Sequence, residues 1–171
     1  MTRISRRTLT FLPFILLAAC GAPESKFKRY DGPPVTQIVV NKGERRMYLM
    51  SGRTVLKAYD VGLGNEPVGT KQFEGDGKTP EGVYFIDRFN PDSAYHLSLG
   101  VSYPKIRDTA HARSQGRDPG GDIFIHGWGP EGQRLAPGNR DWTAGCIAVR
   151  DDEIEEIYAM VKGGIPIVIN G

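Results

Sequence analysis

The stretch Ile123 to Arg150, IFIHGWGPEGQRLAPGNRDWTAGCIAVR, decides how this chain is read. It holds an apolar run ending in His126 and Gly127, a loop rich in Gly and Pro, and then Thr143-Ala144-Gly145-Cys146 ahead of the apolar Ile147, Ala148 and Val149. A strand that delivers a histidine to its end, a loop, and a cysteine between a glycine and a second apolar run is what a Cys/His nucleophilic site requires. The thiolate attacks, an imidazole within hydrogen-bond reach takes and later returns the proton, and Gly145 lets a substrate approach the backbone. His126 precedes Cys146 by 20 residues. We read Cys146 as nucleophile and His126 as general acid and base. A backbone carbonyl or the Thr143 hydroxyl is the candidate to hold the other ring nitrogen.

His126-Gly127, a loop and then Thr143-Ala144-Gly145-Cys146 resemble the signature of the L,D-transpeptidase (YkuD-type) catalytic domain, a family acting on bacterial peptidoglycan. Gly75-Asp76-Gly77-Lys78-Thr79-Pro80-Glu81-Gly82 resembles the GDGxTPEG loop of that family, and Ile38 to Leu63 resembles its opening hairpin strands. The similarity runs from Val35 to Ile169. It implies a mainly β catalytic domain, a sandwich or barrel-like meander with one clear C-terminal helix and the site at one end of the sheet. It also implies peptidoglycan stem peptides as substrate, a thioester acyl-enzyme on Cys146, and an oxyanion hole from the backbone N–H groups around Gly145 and Cys146. No metal and no organic cofactor is implied. The expected activity is cross-linking of stem peptides or attachment of proteins to peptidoglycan, with an envelope lipoprotein as one candidate acceptor or substrate.

Two positions depart from the commonest pattern of the resembled family: Ala144 stands where many members have histidine, and Ala148 where they have arginine. Arg150 is the candidate substitute cation. Relatives lacking those residues include hydrolases. An L,D-carboxypeptidase or amidase acting on stem-peptide or lipoprotein links is therefore the alternative, and an inactive peptidoglycan-binding lipoprotein is the non-enzymatic one. A papain-like hydrolase places cysteine before histidine, and sortases resemble this order only with a much longer interval. Gly127, Trp128, Arg140, Trp142 and Tyr84 are further candidates for the substrate groove. His96 and His111 lack a clustered second ligand, and Asp122 beside His126 makes no metal set. Glu66, Lys71 and the loop from Gly75 to Gly82 read as scaffold.

The start of the chain reads as an export signal. Residues 1–19 combine Arg3, Arg6 and Arg7 with an apolar stretch from Leu9 to Ala19 that is too short to span a bilayer. Leu17-Ala18-Ala19-Cys20-Gly21 resembles a bacterial lipobox, which makes Cys20 a lipidation site and leaves Cys146 as the one free thiol. Without residues 1–19 the formal charge moves from +2 to −1, because three arginines and no acids are removed. That charge gives a nucleic-acid partner no electrostatic support. The expected place is the periplasmic face of a membrane, lipid-anchored, with the outer membrane favoured. Residues 20–34 read as lipidated N-terminus and flexible tether, and 35–171 as the catalytic domain.

Within that domain Gln37–Val40, Arg45–Met50 and Thr54–Leu63 read as a meander of short strands, followed by a long loop to Gly82. Strand character returns at Val83–Phe89, Tyr95–Val101, Ile123–Ile125 and Ile167–Ile169. Pro104 to Gly121 reads as irregular or partly helical. The strong helix signal is Asp152–Lys162, where Ile154, Ile157, Tyr158 and Val161 share one face, Asp152 with Glu155 suits the cap and Gly163-Gly164 stops it.

Overall fold

A computed structural model describes residues 25–171; the expected lipidation site Cys20 and the expected export signal, residues 1–19, lie outside the described residues. Strand β1 (Gln37–Asn41) pairs antiparallel with β2 (Arg46–Ser51), which pairs antiparallel with β3 (Thr54–Asp60). In β1 and β2 buried and half-buried residues alternate, so Ile38, Val40, Met47 and Leu49 enter the core while their neighbours face outward. Gly52, with φ of 55°, makes the tight turn between β2 and β3.

The C-terminal strand β8 (Pro166–Asn170) lies between distant partners, parallel to β1 on one side and antiparallel to β4 (Gly82–Asn90) on the other. The sheet continues through β5 (Ser98–Val101) and β6 (Phe124–His126) to the short β7 (Ile147–Ala148), giving the order β3-β2-β1-β8-β4-β5-β6-β7. A register shift between Ile86 and Arg88 bends β4, as an extra residue in a ladder does. The two ends of the order then meet. Gly62 and Gly64, just past β3, bridge to Ala148 and Thr143, which curls the sheet into a half-barrel.

The fold is mainly β as expected, and beside the clear C-terminal helix two more helices are present among the described residues, one of them within the stretch read as partly helical. Helix α3 (Asp151–Met160) buries Ile154, Ile157 and Met160 against β5 and β6. Its first turn is capped two residues earlier than Asp152 and Glu155 suggested, by the Glu153 carboxylate accepting the Arg150 N–H at 2.9 Å. Helix α1 (Ile106–Ser114) buries only Ala112, so it leaves no apolar stripe in the sequence; the Asp108 carboxylate caps it by accepting the Lys105 N–H. Helix α2 (Gly129–Leu135) occupies the stretch read as a loop. Its Gly132 is there for packing, since a Cβ would come within 2.6 Å of the Trp142 ring. The strand expected from Tyr95 begins only at Ser98, because His96 adopts φ of 74° and the Leu97 N–H turns back to the Tyr95 carbonyl.

Residues 25–34, expected as tether, lie along the domain: Lys28 meets Glu155 at 3.3 Å and the Phe27 ring packs on Tyr158. Two buried ion pairs hold the long loop after β3. Lys42 bonds Glu81 at 2.8 Å, and Lys71 bonds Asp76 at 3.0 Å. Burial opposes ionisation of Asp76, yet the amides of Gln72 and Phe73, the Lys71 ammonium and the Lys78 amide together hold its carboxyl below the ordinary range.

Ile167 is fully buried in β8, between β1 and β4, where no neighbouring side chain can be spared to fill a void. Ile167→Ala is expected to cost about 2–5 kcal/mol, read as a lowered midpoint in urea unfolding; a change below about 0.5 kcal/mol would place the core elsewhere.

Candidate active site

His126 ends β6, opposite Ser98 on β5 and beside Ala148 on β7. Only 3% of it is exposed. Its Nδ1 lies 2.6 Å from the Gly127 carbonyl oxygen, which can only accept, so the proton sits on Nδ1 and Nε2 is left as the base. Tyr95 packs on the imidazole with ring centroids 4.5 Å apart, and Trp142 meets it edge-on at 5.7 Å. Burial pushes the imidazole below its ordinary value, against the Gly127 carbonyl and the Asp151 carboxylate, which raise it. His126 is accordingly neutral at pH 7.

Cys146 immediately precedes β7, and the turn before it is held by its own residues. The Thr143 hydroxyl donates to the Cys146 carbonyl at 2.8 Å and accepts the Gly145 N–H at 3.1 Å. Gly145 has φ of 139°, and a Cβ there would come within 2.7 Å of the Lys78 carbonyl, so both conformation and space demand glycine. Asp141 fixes the entry to this turn by accepting the Leu63 N–H and pairing with Arg45 at 2.8 Å. The Cys146 thiol donates weakly to the Asp122 carbonyl at 3.5 Å. Burial pushes this thiol up. The Phe124 amide and the Lys71 ammonium favour the thiolate, and Asp122 opposes it.

The sulfur borders a cavity of about 330 Å³ lined by Asn65, Lys71, Glu74, Gly75, Gly77, Gly120, Gly121, Asp122, Ile123 and Ala144. The loop that looked like scaffold is thus a wall of the site. Among the described residues no three metal-ligating side chains come together.

The structure separates the candidates read from the sequence. Cys146, His126, Thr143, Gly145 and Trp142 share one corner, with Gly127 supplying the carbonyl behind His126. Thr143 orients the cysteine turn rather than the imidazole. The Gly145 N–H is occupied by Thr143, whereas no acceptor among the described residues meets the Cys146 N–H, which corrects the expected oxyanion donor. Trp128, Arg140 and Arg150 line a separate cleft of about 140 Å³ that does not include Cys146. Arg140 donates to the carbonyls of Val61 and Arg45 and to Asp60, away from the groove expected for it, and Arg150 is tied to Asp152 and Glu153, so it is not the expected cation at the sulfur. Tyr84 is 1% exposed, with its hydroxyl on Asp108 and the Glu81 carbonyl; it belongs to the core. Lys71, Asp122 and Tyr95 were not read as site residues, because their approach to Cys146 or His126 comes from segments with no local signature.

A thiol pushed up by burial reverses the simplest expectation of a low-pKa nucleophile. Iodoacetamide is expected to alkylate Cys146 more slowly at pH 7 than a cysteine in an unstructured peptide, with the rate climbing past the ordinary thiol range as the thiolate forms. Faster alkylation than the peptide at pH 7 would contradict the burial seen here.

Residues 35–169 match the family described as YkuD, L,D-transpeptidase catalytic domain. Escherichia coli (strain K12) YafK is similar, with 27% identity over 146 residues, 83% of this chain and 52% of YafK. The structure of the helical cell shape determining protein Pgp2 from Campylobacter jejuni aligns with a TM-score of 0.61 and 26% identity, covering 86% of this chain and 51% of that one. An L,D-transpeptidase from Mycobacterium smegmatis aligns with a TM-score of 0.53 at 16% identity, over 79% of this chain and 58% of that one, and so shares the fold. The chain spans about half the length of YafK and Pgp2. With the match covering nearly all of the described domain, the chain belongs to the L,D-transpeptidase (YkuD) catalytic-domain family.

Proposed function

We propose that the chain is a peptidoglycan L,D-transpeptidase in which Cys146 is the nucleophile and His126 the proton carrier. The observation that carries this is the corner itself: a thiol bordering a polar cavity, next to a strand ending in a buried histidine whose Nδ1 is already anchored. His126 and Cys146 make no hydrogen bond to each other in this structure; the thiol points to the Asp122 carbonyl. Catalytic hydrogen bonds commonly tighten only once substrate is bound.

In the first half-reaction Nε2 of His126 takes the thiol proton. The sulfur attacks the carbonyl of the L-centre of the diamino acid in a stem tetrapeptide. The tetrahedral oxyanion is held by the Cys146 N–H, the unfilled donor of the turn. The intermediate collapses as His126 returns the proton to the departing D-alanine amine, leaving a thioester. In the second half-reaction an amine of a neighbouring stem peptide attacks the thioester, giving a 3→3 cross-link, or the link is made to an envelope lipoprotein. The neutral state of both groups suits this sequence, because a neutral imidazole can accept the proton that a neutral thiol must lose.

The polar lining of the cavity supports a peptide rich in charged groups over an apolar ligand, since Lys71, Glu74, Asp122 and Asn65 offer partners of both signs. The chain start supports export and attachment of the mature protein through Cys20 to the periplasmic face of a membrane, with the outer membrane as the favoured site.

The test incubates the full chain, purified in detergent, with disaccharide tetrapeptide and follows products by mass spectrometry. A cross-linked dimer with loss of D-alanine is expected. Tripeptide without dimer would make the protein an L,D-carboxypeptidase, and no product with no cysteine adduct would leave a peptidoglycan-binding protein. Cys146→Ala is expected to abolish turnover with the melting temperature nearly unchanged, and His126→Ala to slow acylation by about 10²- to 10⁴-fold. Retained turnover in Cys146→Ala would sink the mechanism. Growth with labelled palmitate checks the anchor: label is expected in the intact chain and lost in Cys20→Ala, and label persisting in that variant would refute it.

A further inference from the structure

Two buried lysines hold the loop between β3 and β4, and they differ in one respect. The Lys42 ammonium has three acceptors, the carbonyls of Gly69 and Thr79 and the Glu81 carboxylate, at 2.6, 3.0 and 2.8 Å. Its three donors are all used. The Lys71 ammonium has two acceptors among the described residues, the Phe73 carbonyl at 2.9 Å and Asp76 at 3.0 Å. Its side chain is only 4% exposed, so water does not readily fill the third place. A buried donor without a partner is costly. Lys42 lies away from the sulfur, whereas Lys71 lines the cavity that Cys146 borders.

The other groups around that cavity oppose negative charge on the sulfur. Glu74 and Asp122 are acidic, and the Asp122 carbonyl accepts the thiol proton. From the cysteine's own segment comes no cation: residues 144 and 148 are alanine, and Arg140 and Arg150 are bonded elsewhere. Asp76 balances the charge of Lys71 at 3.0 Å. His126 and Tyr95 are further titratable groups of this corner, and Glu81, Arg107, Asp108 and His111 line a second pocket together with Lys71.

We propose that Lys71 is a positioning residue for the Cys146 nucleophile, the donor that its loop leaves unfilled holding the negative charge that forms on the sulfur. This rests on the reading of Cys146 as nucleophile. The thiol proton passes to Nε2 of His126, and Lys71 keeps its own protons throughout. No bond forms or breaks at Nζ. The loop after β3 thereby supplies by tertiary contact the charge that the cysteine's own strand lacks.

The test is the pH profile of iodoacetamide alkylation at Cys146, read on its own peptide by mass spectrometry with the full chain in detergent. It needs no turnover, so it fails or succeeds independently of the transpeptidase reading. Lys71→Met is expected to move the midpoint up by about one pH unit, which is roughly tenfold slower alkylation below the midpoint. Lys71→Arg is expected to restore most of the rate. A purely structural lysine would lower the melting temperature of Lys71→Met and leave the midpoint in place. If Lys71→Met does not fold, Lys71→Gln keeps amide donors for the Phe73 carbonyl and Asp76 and carries the same expectation. An unchanged midpoint in the folded uncharged variant, or a shift that arginine does not reverse, overturns the proposal.

Discussion

The half-barrel exists because the chain just past β3 hydrogen-bonds the segment that carries the cysteine. The Gly62 N–H reaches the Ala148 carbonyl and the Ala148 N–H returns to Gly62, while Thr143 bonds Leu63 and the Asn65 N–H bonds Thr143. These are the two ends of the strand order, so the bonds convert an open sheet edge into a closed corner. Arg45 and Asp141 reinforce the closure from the side, Asp141 accepting the Leu63 N–H at the same point. Cys146, its glycine and the loop that walls its cavity are all positioned by this seam. Without it β7, only two residues long, would have β6 as its sole strand partner.

The electrostatics of the corner follow from that burial. Burial of His126 and Cys146 disfavours charge on either group, which favours a neutral imidazole and a neutral thiol. If Cys146 is the nucleophile proposed above, such a pair stores no ready-made thiolate, and ionisation of the thiol is coupled to transfer of its proton. The Phe124 amide and a buried lysine brought from another loop are the groups that favour charge on the sulfur. Both buried lysines are tolerated because carboxylates accompany them; an unpaired ammonium at either position would be strongly destabilising.

The pattern of alternating apolar residues made β1, β2 and β4 legible to within a residue or two, since each has one face in the core and one toward solvent. Helix α3 was legible for the same reason at a different period. Helix α1 was legible only as a partly helical stretch, because it buries one residue, and α2 was not legible, because it is built from glycines, a proline and polar residues whose helical state depends on Trp142 and Asp151 packed against them. The position of β8 was equally hidden, as a parallel partner to β1 is chosen by the closing of the sheet and leaves no trace in either strand.

The residues expected to carry chemistry divide along the same line. Local order along the chain sufficed for His126, Thr143, Gly145 and Cys146, because a glycine forced by close approach and a turn closed by its own hydroxyl are short-range constraints. The sequence by itself therefore determined the family, the mainly β class and the corner where histidine and cysteine converge. Only the tertiary structure decided which side chains surround that corner. Tyr84, Arg140 and Arg150 were drawn into the core, a strand edge and a helix cap, while Lys71 and Tyr95 came in from other segments of the chain and Asp122 from just before β6. Such neighbours are set by strand pairing and burial across the whole sheet, and those are long-range forces that no single stretch of residues records.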